Sequence, residues 1–193
     1  MTSDQQAGVL IDRQLPPGYG SVNPFAAVRG PGGAAAFIDF VVRVFGAHET
    51  LAAHTIDADD LLIHAEVRIG DSTLMLCDAK PHWAFTPALL QVYLSDAQAV
   101  VDRARAAGAE VITDPTDFHG NQRLARLRDP WHNIWWLFEY GDGSVAPSQA
   151  PNELPSWRPD PSTPPSDVHR TIDEAMTSLR APQNEDAKSQ RAW

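Results

Sequence analysis

An α+β architecture of two βαβββ units, each a small curved sheet carrying one helix, follows from three patterns in this 193-residue chain. Two amphipathic helical stretches end alike, in Phe45-Gly46-Ala47 and Ala107-Gly108-Ala109. Each is preceded by one strand-like run and followed by three. The last run, within RLARLRDPWHNIWWLFEY from Arg123 to Tyr140, pairs a charged turn with a very aromatic strand. Beyond it the composition shifts to proline-rich sequence, in which a short helix is expected.

Residues 1–17 are polar and end in Pro16-Pro17, which reads as a loose arm. The main domain is expected over 18–140 and the tail over 141–193. Ser21 to Val28 is the first predicted strand. The glycine-rich break Arg29-Gly30-Pro31-Gly32-Gly33 lacks the lysine and Ser/Thr of a phosphate-binding loop and the full GxGxxG order, so it is read as structural. Phe37, Phe40, Val41 and Val44 then follow the i, i+3, i+4, i+7 spacing of a helix that buries one face. Gly46 ends that helix as a left-handed cap.

Strands are predicted at His48–Thr55, Leu61–Ile69 and Ser72–Cys77, the last two joined by a tight Gly70-Asp71 turn. Leu89 to Leu94 opens the second unit. Asp96 is placed to cap a helix whose Ala97, Val100, Val101 and Ala104 repeat the first helix's spacing, and Gly108 closes it. Further strands are predicted at Glu110–Ile112, Gln122–Arg128 and Asn133–Tyr140. The Asp129-Pro130 step fixes a turn, because proline presets its own φ and pushes the preceding residue out of the helical region. Trp135 and Trp136 are adjacent on a strand, so one packs under a helix while the other lines the opposite face. With a helix on one side, each sheet leaves its other side partly uncovered, and two such sheets can enclose a cavity.

In the tail, Pro147, Pro151, Pro155, Pro159, Pro161, Pro164 and Pro165 preclude a continuing sheet. Ser166 or Asp167 is a cap candidate for a helix near 166–180 in which Val168, Ile172, Ala175, Met176 and Leu179 form one stripe. That stripe needs a partner: its own domain, a second subunit, or none if the segment stays unfolded. Docking on its own domain is expected, since the proline linker has ample reach.

A formal charge of −10 with 43% apolar residues suits a folded core and argues against nucleic acid and anionic membranes as partners. Around Arg123, Arg126 and Arg128 a solvated strand face is expected. Cys77 is the sole cysteine, so no intramolecular disulfide is possible, and it is read as a small core residue. No run is apolar and long enough to span a bilayer, and MTSDQQAGVLIDRQ lacks the features of a signal peptide, so a soluble cytoplasmic protein is expected.

With those residues laid out, residues 20–140 resemble the vicinal oxygen chelate superfamily: glyoxalase I, extradiol dioxygenases, fosfomycin resistance and bleomycin-binding proteins. The residues are similar above all to the PhnB-like, glyoxalase/bleomycin-resistance branch, through Asn23-Pro24-Phe25, FIDFVVRVFGA, IHAEVRIGDSTLMLCD, AAGAEV and HGNQRLARLRDPWHNIWW. The resemblance implies the glyoxalase/bleomycin resistance fold, and a homodimer as in many relatives. It also implies a divalent metal held by His, Glu or Gln from the first and last strands of each unit, polarising substrate oxygens.

The ligand positions do not carry over. Where the resemblance expects a Glu, seven residues after the Asp of the DP turn, this chain has Trp136. Where it expects a His on the first strand, the chain offers Asn23-Pro24-Phe25. The second unit offers Leu89, Leu90 and Gln91, and the end of the first unit Leu76, Cys77 and Asp78. His132 stands where relatives have a glycine in the turn, and a surface position is expected for it.

No metal is therefore assigned and no cofactor is expected. The expected function is metal-independent binding of a small molecule, a metabolite or natural product, in a cavity lined by Trp136, Gln91, Tyr93 and His64. Flat aromatic surfaces with a few polar handles suit a planar ligand; the same aromatics also suit a filled core. The alternative is a lyase, isomerase or dioxygenase with a rearranged metal site. His64 and Glu66, two apart on one strand face, would join His119 or Asp78, or act without metal as a general base. Glu139 has opposite parity to Trp136 and is expected on the other face. A third possibility is an assembly module joined through the tail helix.

Overall fold

The computed structural model describes residues 15–118, 122–140 and 166–182. The first sheet contains β1 (Phe25–Val28), β2 (His48–Glu49), β3 (Thr55–Ile56), β4 (Leu62–Ile69) and β5 (Ser72–Asp78), in the order β1-β5-β4-β2 with β3 also on β4. The second contains β6 (Leu89–Leu94), β7 (Glu110–Phe118), β8 (Gln122–Arg128) and β9 (Ile134–Tyr140), in the order β6-β9-β8-β7. In both, the opening strand lies parallel to the closing one, β1 on β5 and β6 on β9, while the remaining pairs are antiparallel. This is one topology used twice, and it matches the two βαβββ units expected from the pattern.

The helices α1 (Gly33–Phe45) and α2 (Ala97–Ala106) supply the inner layer. Phe37, Phe40, Val41 and Val44 of α1 are completely buried, so the predicted stripe is the buried one. Burying each such side chain stabilises by about 2 kcal/mol before conformational entropy is subtracted. Gly46 takes φ 67°, and its N–H donates to the Val42 carbonyl at 3.0 Å, closing α1. At its start α1 has no side-chain cap of its own. Instead Asp78, at the end of β5, accepts from the Ala34 N–H at 2.7 Å and from the Leu62 N–H at 2.8 Å. A Cβ on Gly33 would lie 2.6 Å from that carboxylate, and φ there is 61°, so the glycine-rich break serves this brace. α2 has its predicted cap, Asp96, which accepts from the Ala99 N–H at 2.8 Å.

The helix-facing side chains of both sheets join a single core. Trp135 is wholly buried, its ring centroid 4.6 Å from Phe45 and 6.3 Å from Phe37 of α1. Trp131 packs edge-on against Phe37 and Phe40 of the same helix. The first unit's helix therefore packs against the second unit's aromatic strand, and the opposite face of each sheet is turned outward.

Three strands depart from the expected spans. β1 begins at Phe25, four residues after Ser21. Pro24 has no N–H to give a ladder, and Asn23 closes a turn with Gly20 through two hydrogen bonds. The His48–Thr55 run breaks into β2, a 3-10 turn at Leu51–Ala53, and β3. Its alanines favour a sheet weakly, and the Glu49 carboxylate meets His54 at 2.5 Å across the turn. β7 runs past Ile112 to Phe118, through Pro115. It is an edge strand with bulges on either side of Thr113, where a missing N–H is tolerated.

In the tail, α3 (Asp167–Thr177) forms and docks on β7, with Ala175 of its stripe buried. Residues 1–14 of the expected arm, His119, and most of the proline-rich linker lie outside the described residues. Among the described residues, no helix is long and apolar enough to cross a membrane.

Candidate functional site

The two units can be superposed in sequence through their carboxylate braces. Asp78 on β5 holds the first turn of α1, and Glu139 on β9 accepts from the Ala97 N–H of α2 at 2.7 Å. Glu139 therefore faces the helix, as its parity predicts. Counting back three residues from each brace gives Met75 and Trp136, which occupy matching outward positions. Met75 is registered between Phe25 and Glu66, and Trp136 between Gln91 and Arg126. The central outward rows are thus Phe25–Met75–Glu66 in one sheet and Gln91–Trp136–Arg126 in the other, the second extended by Thr113.

In the second sheet the row forms a platform. The Arg126 guanidinium lies 4.2 Å above the centre of the Trp136 ring. Gln91 and Tyr93 are exposed, and the Gln91 side-chain amide donates to the Tyr93 hydroxyl at 2.5 Å. Tyr93 also contacts Phe138 and Tyr140, at 5.8 and 5.2 Å between ring centroids, which continues the aromatic surface along the sheet. Tyr140 and Tyr93 interact closely, and burial together with that contact pushes the Tyr140 hydroxyl's pKa up.

Arg126 departs from the solvated face expected of the strand's arginines. It is 3% exposed, because α3 lies across it. Its Nη1 donates to the Val168 carbonyl at 2.6 Å and to the Thr113 hydroxyl at 3.3 Å. Arg128 reaches Glu110 at 2.5 Å and Arg123 reaches Glu139 at 3.7 Å, so both of those remain ordinary ion pairs near the rim. Strand periodicity assigns a face to Arg126 but carries no information about a helix some forty residues later in the chain.

In the first sheet His64 and Glu66 do share a face, and His64 Nε2 meets Glu66 Oε1 at 3.2 Å. The other Glu66 oxygen accepts a hydrogen bond from the Tyr19 hydroxyl, which the sequence reading missed. That bond, with burial behind it, holds the Tyr19 pKa above its ordinary value. Residues 17–19 lie over this face: Arg68 donates to the Pro17 carbonyl at 3.1 Å and Thr73 to the Gly18 carbonyl at 2.7 Å. His64 is thus on a different sheet from Trp136, Gln91 and Tyr93, and the chain does not bring the four together.

A metal fits this arrangement poorly. Asp78, one proposed third ligand, is committed to two backbone donors on the helix side, away from Glu66. Among the described residues no three His, Cys, Asp or Glu side chains gather as a metal would require. The outward positions of the opening and closing strands hold Phe25, Met75, Gln91 and Trp136, of which only Gln91 offers a hard oxygen donor; Glu66, beside Met75 in its row, is engaged by Tyr19 and His64. Cys77 is buried and its thiol's pKa is raised by that burial, so it is held as the neutral thiol.

A cleft of 580 Å³ lies at the seam between the units, bordered by the Gly70–Leu74 turn region, β6 and the start of α2. Phe45 and Trp135 form its apolar side, while Gln91, Tyr93 and Arg103 supply polar groups. Its size is in the range of small-molecule sites. Gln91 and Tyr93 border both cleft and platform; Trp136 and His64 do not line the cleft.

His132 takes the left-handed conformation, φ 65°, that glycine adopts most readily. Its ring Nδ1 lies 2.5 Å from the Arg180 carbonyl, so this turn residue helps hold the tail. The turn itself is organised by Asp129, which is 1% exposed. Asp129 accepts from the backbone N–H groups of Trp131 and Asn133, from the Asn133 amide, and from Trp135 Nε1 at 2.8 Å. Burial nevertheless pushes its pKa up to about 6, against the pull of those donors.

Two βαβββ units, each with its opening strand parallel to its closing one, are the architecture of the vicinal-oxygen-chelate class. Residues 25–137 match the glyoxalase/bleomycin resistance protein/dioxygenase superfamily, and the chain belongs to it. An uncharacterized protein of Mycobacterium bovis is 33% identical over 115 residues, covering 54% of this chain and 74% of that protein. Among solved structures, TioX from a Micromonospora species is 22% identical, with 65% of this chain and 97% of TioX covered at a TM-score of 0.47. TnmS3, an antibiotic binding protein from a Streptomyces species, is 20% identical, with 62% and 96% covered and a TM-score of 0.47.

Proposed function

We propose that this chain binds a planar small molecule without a metal, sequestering a metabolite or natural product, as a cytoplasmic member of the PhnB-like branch. The observation that carries the reading is the outward row Gln91–Trp136–Arg126, an aromatic platform at the position where the family's chemistry needs a ligating carboxylate. A ring stacked on Trp136, with Gln91 and Tyr93 as polar handles, would gain both buried area and orientation. A homodimer would cover the exposed part of this face, around Gln91 and Tyr93. In support, β1 and β6 are edge strands, and Phe25, Leu89 and Tyr93 on them are each more than half exposed.

The test is equilibrium binding of a panel of planar aromatic compounds to chelator-treated protein, beside a Trp136→Ala variant. Binding that survives chelation and is lost in the variant supports the reading. A stoichiometric divalent ion required for binding overturns it. Sedimentation of the full chain checks the dimer.

A second reading has one observation in its favour. Tyr19, Glu66 and His64 form a hydrogen-bonded set in which Glu66 orients a partly exposed imidazole, as a general base requires. Turnover of an identified substrate that survives His64→Ala would remove it.

A further inference from the structure

The second sheet buries a cation that its own surroundings leave incompletely satisfied. Arg126 Nε is buried with no hydrogen-bond partner, and among the described residues no carboxylate pairs with this side chain. Its strand neighbours Arg123 and Arg128 both have acids. Burying a guanidinium is costly unless its donors are answered by a carboxylate or an equivalent anion. What answers Arg126 is two neutral acceptors, the Thr113 hydroxyl and, closer, the Val168 carbonyl of α3, which lies outside the residues matched to the family.

α3 is held to the domain by separate polar contacts and a thin apolar one, in which Val168 and Ile172 are half-buried. Besides Val168, Thr171 meets the Thr113 hydroxyl at 2.7 Å, Arg128 reaches the Ser178 hydroxyl at 3.3 Å, and Ala175 is the one buried residue of the helix. Met176 is 40% exposed. An element with so little buried apolar area can open at a small fraction of the cost of unfolding the domain. Beneath it lies the incompletely paired Arg126 guanidinium, and against that the Trp136 ring, the two halves of a site for a flat anion.

We propose that Arg126 and Trp136 form the subsite for the carboxylate-bearing end of a planar aromatic acid, with α3 as a lid whose Val168 carbonyl occupies the carboxylate's place in the ligand-free chain. This rests on the binding function proposed above and narrows its ligand class. The carboxylate replaces a neutral acceptor with a charged one, while the ring takes the Trp136 face and the Gln91 side of the row.

The experiment is calorimetric titration of the full chain with 2-naphthoate and with 2-naphthamide, which has the same ring and no charge. Naphthoate is expected to bind at least about tenfold tighter, the factor of one charge-assisted hydrogen bond. Arg126→Gln should equalise the two. Ala175→Glu, which puts a charge at the buried contact of α3, should tighten naphthoate further. Should Arg126→Gln fail to fold, the Arg126 Nε–Hε resonance of the wild-type protein decides: naphthoate should shift it and naphthamide should not. Equal affinities, or an unmoved resonance, overturn the Arg126 assignment and leave the aromatic platform standing. No binding of either compound to the wild-type or Ala175→Glu chain overturns both.

Discussion

The outward row of the first unit ends in Glu66 and that of the second in Arg126, opposite charges at matching points of a repeated sheet. Each is sealed by a segment flanking the duplicated domain, residues 17–19 over Glu66 and α3 over Arg126. The difference is in how well each seal satisfies what it covers. Glu66 receives donors from Tyr19 and His64, one on each oxygen. Arg126 is left with a buried Nε unpaired. The first face is thus electrostatically closed by the chain itself, while the second retains an unmet need for an anion. The frames beneath are alike, since Asp78 and Glu139 brace their helices in the same way. Duplication kept the brace and let the outward row diverge.

The largest expected effect comes from breaking the turn peculiar to the second unit. Asp129→Ala leaves four buried donors unanswered and should cost about 3–5 kcal/mol in denaturant unfolding. Hydrogen exchange should show the loss first around β8 and β9. The same residue sets a pH dependence. Its folded-state pKa, about 6, lies above its ordinary 3.8, so its contribution is full below the lower value and is lost as pH rises through the upper one. Unfolding free energy should therefore fall by about 3 kcal/mol across that window from this group. A wild-type profile that rises steadily from pH 4 to about 7, with no reduced slope relative to Asp129→Ala, would contradict it.

The braces come next and sharpen the comparison directly. Asp78→Ala strips two backbone N–H groups of their acceptor, one of them in the first turn of α1, for an expected cost of about 2–3 kcal/mol. Glu139→Ala strips one, and Asp96 still caps α2, so about 1 kcal/mol is expected. Equal losses in thermal or chemical unfolding would show that the two braces are equivalent after all. Tyr19→Phe is smaller again, because Glu66 keeps His64, and should lower the unfolding midpoint less than either brace variant. His132→Gly should change stability by less than about 0.5 kcal/mol, because relief of the left-handed backbone is offset by the freedom glycine gains when unfolded and by the lost contact with Arg180.

Much of the frame was legible from neighbouring residues. The stripe of α1, the Gly46 and Asp96 caps, the Gly70-Asp71 hairpin turn and the opposed faces of Trp135 and Trp136 all follow from local periodicity and turn chemistry. The errors fell where a distant segment decided the outcome. β7 continues through Pro115 because it is an edge, and edge status is a property of the finished sheet. Of the four residues expected to line one cavity, Trp136, Gln91 and Tyr93 lie on the second sheet's outward face and His64 on the first sheet, while Arg126, expected to be solvated, is buried.

The sequence by itself determined the repeated unit and the helix faces, since each depends on residue type and on spacings within a few residues; that Trp136 stands where a ligand is expected came from the resemblance to the family. Only the tertiary structure decided which outward faces are covered and by what. Tyr19 reaches Glu66 across 47 positions and Arg126 reaches Val168 across 42. Contacts of that span depend on where the whole chain path returns, and no local period encodes them.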